Sequence, residues 1–248
     1  MKQHFRKERH GVAERVIGRA LTAAVTAPLA LATVLTAVAV IPGAGPATAN
    51  PVAETLYIAE SANGRVVSVP AGGGTPSALA SGLNHDRPYR VALSGTSLYI
   101  AEAGNSTIVA VPTSGGTATP LNIPGLVDPV GIAASGTTLF ITESTGRVVS
   151  VPTSGGIPTT LASGLSAPQG IAVSDNTLYI TGNTANGSVI SLPTIGGTPT
   201  TIATGLPNPG GIAVSGTTLY VTGSTEVPPG WWTVGYAAFA ATVVRDCS

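Results

Sequence analysis

The 248-residue chain has one cysteine, Cys247. A single thiol excludes an intrachain disulfide and any two-cysteine metal site. Charge is also scarce: charged residues make up 9% of the chain and the formal net charge is zero at pH 7. That charge is unevenly placed. Residues 1–19 carry Lys2, Arg6, Lys7, Arg9, Arg15 and Arg19 against Glu8 and Glu14. Beyond them lie five arginines, no lysine and nine carboxylates, a net charge of −4. Such a balance offers no basic stripe to neutralise phosphates, which excludes nucleic acid as a partner. It also argues against anionic lipid surfaces. Beyond residue 19 the only histidine is His85. No Gly-x-Ser-x-Gly elbow, P-loop, histidine pair or Cys/His cluster is present, and no 3.6-residue periodicity follows residue 50.

The basic N-terminus leads into an uncharged apolar run, Ala20 to Ile41, then into Pro42, Gly43, Gly45 and Pro46. Ala47-Thr48-Ala49 places small residues at the −3 and −1 positions of a cleavage site. This order reads as a secretory signal peptide over 1–49, a helix cut after Ala49. The alternative is an uncleaved anchor, because ~20 apolar residues suffice to span a bilayer. Either reading places the rest of the chain outside the cytoplasm, secreted or membrane-anchored.

Residues 50–225 repeat. Leu56-Tyr57-Ile58 returns as Leu98-Tyr99-Ile100, Leu139-Phe140-Ile141, Leu178-Tyr179-Ile180 and Leu219-Tyr220-Val221, at steps of 42, 41, 39 and 41 residues. Val66-Val67-Ser68-Val69-Pro70 keeps the same phase as Ile108 to Pro112, Val148 to Pro152 and Val189 to Pro193. A Gly-Gly follows each copy, then a Thr/Pro segment, then Gly-Ile-Ala at 131–133, 170–172 and 211–213. Each unit thus holds four short runs rich in Val, Ile, Tyr and Thr, separated by turn residues. Four strands per ~40 residues is the blade pattern of an all-β propeller. Pro76, Pro158 and Pro199 fall in the fourth run, which suits an outer edge because proline cannot donate to a ladder.

Leu-Phe-Ile-Thr-Glu at 139–143, Gly-Arg-Val-Val-Ser-Val-Pro at 146–152 and Ala-Pro-Gln-Gly-Ile-Ala-Val at 167–173 resemble NHL and YWTD-type blades. They are also similar to repeats of the SMP-30/gluconolactonase group and of streptogramin B lyases, in the six-bladed TolB-like and seven-bladed propeller families. The resemblance covers roughly 55–225 and implies the architecture. Those families share blades while differing in chemistry, and no second histidine is available to carry their catalytic sites over.

Four to five blades are visible, and the expected third strand of a fifth never comes. Instead Glu226-Val227-Pro228-Pro229-Gly230-Trp231-Trp232 opens an atypical tail, 226–248. Three readings compete. The tail supplies degenerate last strands; or the strand at 210–215 closes blade one, giving four blades; or the chain is a truncated piece of a six-bladed ring.

Candidate site residues are the departures from the repeat. The loop Leu83 to Arg90 is longer than its counterparts. In it His85 is a candidate acid/base oriented by Asp86, while Arg87 and Arg90 suit a carboxylate or phosphate. The competing reading is a solvated polar loop. Glu60, Glu102 and Glu143 end the second strand of three successive units. As a carboxylate ring they would bind Ca²⁺ or Mg²⁺, yet sheets ~10 Å apart oppose sharing one ion. The competing reading is that each caps its own turn, with Arg65 and Arg147 pairing to a nearby Glu. The expectation is a secreted, non-catalytic propeller, with no cofactor, that binds a protein, glycan or small molecule on one face. The alternatives are a metal-dependent lactonase or lyase, and a membrane-anchored sensor domain.

Overall fold

The computed structural model describes residues 35–39, 55–81, 83, 88–184, 186–224 and 236–239, all within one compact unit, Thr33–Ser248. It is all-β and forms a propeller of five consecutive antiparallel sheets. Blade one comprises β1 (Leu35–Ala39), β2 (Thr55–Glu60), β3 (Arg65–Pro70) and β4 (Ser77–Ala80). Blade two comprises β5 (Pro88–Ser94), β6 (Ser97–Glu102), β7 (Thr107–Pro112) and β8 (Thr119–Pro120). Blade three comprises β9 (Pro129–Ser135), β10 (Thr138–Glu143), β11 (Val148–Pro152) and β12 (Thr159–Ala162). Blade four comprises β13 (Pro168–Ser174), β14 (Thr177–Gly182), β15 (Gly187–Pro193) and β16 (Thr200–Leu206). Blade five comprises β17 (Pro209–Ser215), β18 (Thr218–Ser224) and β19 (Tyr236–Phe239).

The repeated motifs explain the elements. Each inner strand of blades two to five opens on a proline, Pro88, Pro129, Pro168 or Pro209, whose missing N–H costs no ladder bond at a strand end. The Leu-Tyr-Ile strands form the second position of every sheet, and Val-Val-Ser-Val the third of blades one to four. Pro76, Pro158 and Pro199 each sit immediately before an outermost strand. Positive φ at Gly95, Gly136 and Gly216 (57°, 56° and 55°) marks the tight turn between first and second strands.

Three sequence expectations need correction. β17 pairs with β18 and not with blade one, so the four-blade closure is excluded. The inner edge of blade one is instead taken by β1, which pairs antiparallel with β2. These residues belong to the apolar run expected as a signal-peptide helix; for 35–39 pairing with the ladder edge of β2 outweighs the helix preference of Leu and Ala, which Thr36 and Val38 lower. Lastly, Pro88, Tyr89 and Arg90 are not loop but the start of β5. Among the described residues the only helical element is the 3-10 turn Ser61–Asn63, and no helix is long and apolar enough to cross a membrane.

The core lies between blades. Each sheet has one face bearing Tyr or Phe with small residues, and an opposite face bearing Leu, Ile and Val. Tyr57, Ala59 and Val66 of blade one pack on Val91, Leu98, Ile100 and Val111 of blade two. Tyr99 and Ala101 pack on Leu139, Ile141 and Val151 of blade three, and Phe140 on Leu178, Ile180 and Leu192 of blade four. Tyr179 and Val189 pack on Leu219 and Val221 of blade five. Burying one such leucine or isoleucine stabilises by about 1.5–3 kcal/mol, so these interfaces hold the series together. Around the axis β1 packs on β5, β5 on β9, β9 on β13 and β13 on β17; among the described strands no comparable packing joins β17 to β1.

Candidate functional site

Inner strands begin, and second strands end, at the same end of the propeller: Pro88 lies opposite Glu102 and Pro129 opposite Glu143. The residue after each opening proline varies from blade to blade, as Tyr89, Val130, Gln169 and Gly210, while the proline before it repeats. These variable positions stand at the mouth of the central channel. Tyr89 Oη donates to Gln169 Oε1 at 3.2 Å, joining blade two to blade four.

The next position separates blade two from the others. Blades three, four and five have Gly131, Gly170 and Gly211 there, each near a threonine, Thr142, Thr181 or Thr222, on the adjoining strand. A Cβ on Gly131 would meet Thr142 Oγ1 at 2.3 Å and the Gln169 carbonyl at 2.2 Å. Blade two has Arg90 opposite Ala101 at this point. Ala101 carries no hydroxyl, which removes one of the two obstacles met at Gly131. Arg90 extends across the channel, with one guanidinium nitrogen 3.9 Å from where a Cβ on Gly210 of blade five would stand. Its guanidinium lies 5.1 Å from the Tyr89 ring centroid, within cation–π range. Desolvation by burial pushes the Arg90 pKa below its usual value, opposed by the electrostatic influence of Tyr89. Arg90 remains charged at any physiological pH. This end of the channel therefore combines a partly desolvated cation, a phenol and a carboxamide.

The glutamates stand at the same end, each within its own blade. Glu60 accepts from Asn63 Nδ2 at 2.9 Å and from Arg65 Nε. The Arg65 bond holds its pKa below the usual carboxylate value, opposed by burial. Glu143, fully buried, accepts from Arg147 Nε at 2.7 Å, from Arg147 Nη2 at 2.6 Å and from the Val127 backbone N–H at 3.1 Å. The Glu143 contact raises the pKa of Arg147. Glu143 thereby clamps the loop entering its blade to its own turn. Glu102 is also buried, but Thr107 faces it where Arg65 faces Glu60. Among the described residues no group of three His, Cys, Asp or Glu is placed to hold a metal ion. His85, Asp86 and Arg87 lie outside the described residues.

Sequence reasoning singled out Arg90 but missed Tyr89 and Gln169. The available signal was the variation directly after the repeated proline. At the opposite end of the blades, beside Gly216 and Thr217, Tyr179 and Ile202 line a cleft of about 100 Å³. That is small against the ~300–1,000 Å³ of ligand pockets.

No protein-family model and no curated protein matches the chain. Among solved structures it is similar to a chain of the nidogen/laminin complex, at 19% identity and a TM-score of 0.65, covering 77% of this chain and 72% of that one. It is also similar to virginiamycin B lyase from Staphylococcus aureus, at 21% identity and a TM-score of 0.56, covering 68% of this chain and 59% of that one. A streptogramin B lyase matches at 18% identity and a TM-score of 0.54, covering 67% and 58%. The chain thus spans less than two thirds of the length of either lyase chain. Both kinds of neighbour are propellers, and the likeness shows the fold.

Proposed function

We propose that the chain is an exported, non-catalytic binding propeller whose ligand docks on the channel mouth formed by Tyr89, Arg90 and Gln169. The observation that carries this reading is the substitution of Arg90 and Ala101 for the Gly and Thr of the other blades. That exchange sets a cation beside the aromatic ring of Tyr89. A protein segment presenting a carboxylate beside an apolar group matches this chemistry, since a guanidinium binds carboxylates in a two-point geometry. The nidogen/laminin neighbour shows a propeller in a protein complex, which supports a protein ligand. The engagement of Glu60 and Glu143 by Arg65 and Arg147 supports a structural role for those carboxylates.

Thermal unfolding with a panel of carboxylate-bearing peptides, oligosaccharides, Ca²⁺, Mg²⁺ and chelator tests the reading. A peptide present at ~100 times its dissociation constant should stabilise the protein by about 2.7 kcal/mol, a Tm rise of roughly 5–10 °C. Arg90→Gln should abolish that rise while leaving the unliganded Tm within a few degrees. Stabilisation by divalent metal, together with metal-dependent turnover of a lactone or cyclic depsipeptide, would establish the enzyme reading instead.

A further inference from the structure

The two ends of the propeller differ in charge. Among the described residues every charged side chain but one belongs to the channel-mouth end. The exception, Asp175, lies exposed in the turn between β13 and β14, at the opposite end. The turn after β15 adds an isoleucine to that uncharged end. Three corresponding turns read Pro112-Thr113-Ser114-Gly115-Gly116, Pro152-Thr153-Ser154-Gly155-Gly156 and Pro193-Thr194-Ile195-Gly196-Gly197. Ile195, where its two counterparts are serine, is 91% exposed. Its turn is well anchored. Thr194 N–H donates to the Asn176 carbonyl at 3.0 Å, and Gly196 N–H to the Pro193 carbonyl at 2.9 Å. Gly197 N–H reaches the Leu161 carbonyl of blade three at 3.3 Å. The isoleucine therefore projects from a fixed base.

The same end holds a hole for such a knob. The cleft between blades four and five is lined by buried Tyr179 and Leu219, by half-buried Ile202 and Val214, and by Ser191. An apolar cavity of ~150 Å³ holds benzene, with its six carbons. A cleft of about 100 Å³ takes four in proportion, the number in an isoleucine side chain. We propose that the cleft receives Ile195 of a second copy of this chain, and that two copies pair through their uncharged ends as a symmetric dimer. Ile195, Ser191 and Ile202 all belong to blade four, so knob and cleft lie side by side. A two-fold axis in the plane of contact, midway between them, seats both isoleucines at once. The pairing removes little charge from water, since Asp175 is the one described charge at this end. Ile157 is 84% exposed in the corresponding turn of blade three. It lies on the side of Ile195 away from the cleft and stays outside the contact. Both channel mouths face outward, so the pairing does not rest on what they bind. Two seated side chains and the turns around them make a contact at the small end of specific interfaces, which sets dissociation in the micromolar range.

Sedimentation equilibrium of the full chain over a micromolar concentration series tests this. The average mass should rise from that of one chain to that of two and stop there. Ile195→Ser installs the residue that blades two and three carry at this point. It should keep the native Tm and weaken pairing about a hundredfold or more, because each dimer loses two seated side chains. Ser191→Leu fills the cleft from within and should be monomeric at the same concentrations. Ile157→Thr, which installs the residue found at Thr117 and Thr198 in the corresponding turns, should pair as strongly as the native chain. Circular dichroism melts establish that the variants fold. Should Ser191→Leu fail to fold, the contrast between Ile195→Ser and Ile157→Thr decides. A native chain that stays monomeric throughout overturns the proposal, as does a mass that grows past two chains. Pairing at native strength in Ile195→Ser or in folded Ser191→Leu overturns it too. Equal weakening by Ile157→Thr would mark a general apolar patch rather than a seated knob, and would also overturn it.

Discussion

At the residue scale the glycine of Gly-Ile-Ala is required by space. The backbone of Gly131 is not in the left-handed region. What forbids a side chain there is the approach of the Thr142 hydroxyl and of the next blade's backbone at Gln169. The repetition of this glycine was visible in the sequence, but its cause was not, because the atoms that crowd it come from a strand eleven residues away and from another blade. The same logic makes Arg90 legible only in retrospect: it stands where glycine is the rule, and Ala101 opposite it carries no hydroxyl. Gly131→Ala should therefore force blades three and four apart and cost about 1–3 kcal/mol, as overpacking does. That corresponds to a Tm fall of roughly 2–12 °C at this chain length. The double variant Gly131→Ala/Thr142→Ala reproduces the blade-two arrangement and should recover part of the loss. An unchanged melt in Gly131→Ala would remove the steric account, and with it the argument that Arg90 needs Ala101.

At the element scale, strands carrying a repeated motif were legible and strands without one were not. The Leu-Tyr-Ile and Val-Val-Ser-Val runs could be placed from alternation and phase alone. β1 and β19 carry neither motif. β19 lies within the tail expected either as degenerate strands or as a break, and it pairs with β18 through Phe239 opposite Val221. β1 lies in a run whose composition suits an export helix as well as a buried strand, and periodicity cannot separate the two over five residues. The consequence is a conflict between two fates of one segment. Cleavage after Ala49 would remove β1 and expose the inner ladder of β2 from Tyr57 to Glu60, the stretch that β1 pairs. Hydrogen exchange on a chain beginning at Asn50 should therefore show faster exchange at β2 than in the full chain, with β9 and β10 unchanged. Equal protection of β2 in both chains would mean that β1 contributes nothing to blade one.

At the scale of the whole molecule, a series of blades that touch only their neighbours should not melt uniformly. Stability in such an arrangement approximates a sum of unit and interface terms. The three interfaces among blades one to four bury long runs of side chains, with Leu98, Ile100, Leu139, Ile141, Leu178, Ile180 and Leu192 all at 0% exposure. The fourth interface is thinner: among the described residues its buried apolar side chains are Tyr179, Val189, Leu219 and Val221, and Ile202, Ile212 and Val214 are left half-covered. Blade five also has an open outer face at Tyr220. Its strands should therefore open at lower free energy than the centre, so native-state hydrogen exchange should show the weakest protection in β17 and β18 and the strongest in β9, β10, β13 and β14. Mutation should report the same gradient. Leu139→Ala empties a fully buried site between blades two and three and should cost about 2–5 kcal/mol, lowering the main transition. Tyr220→Ala, half-exposed at the edge, should cost under about 1 kcal/mol and act only on the early-opening blade. Equal protection across all five blades would show that blade five is covered from within the chain.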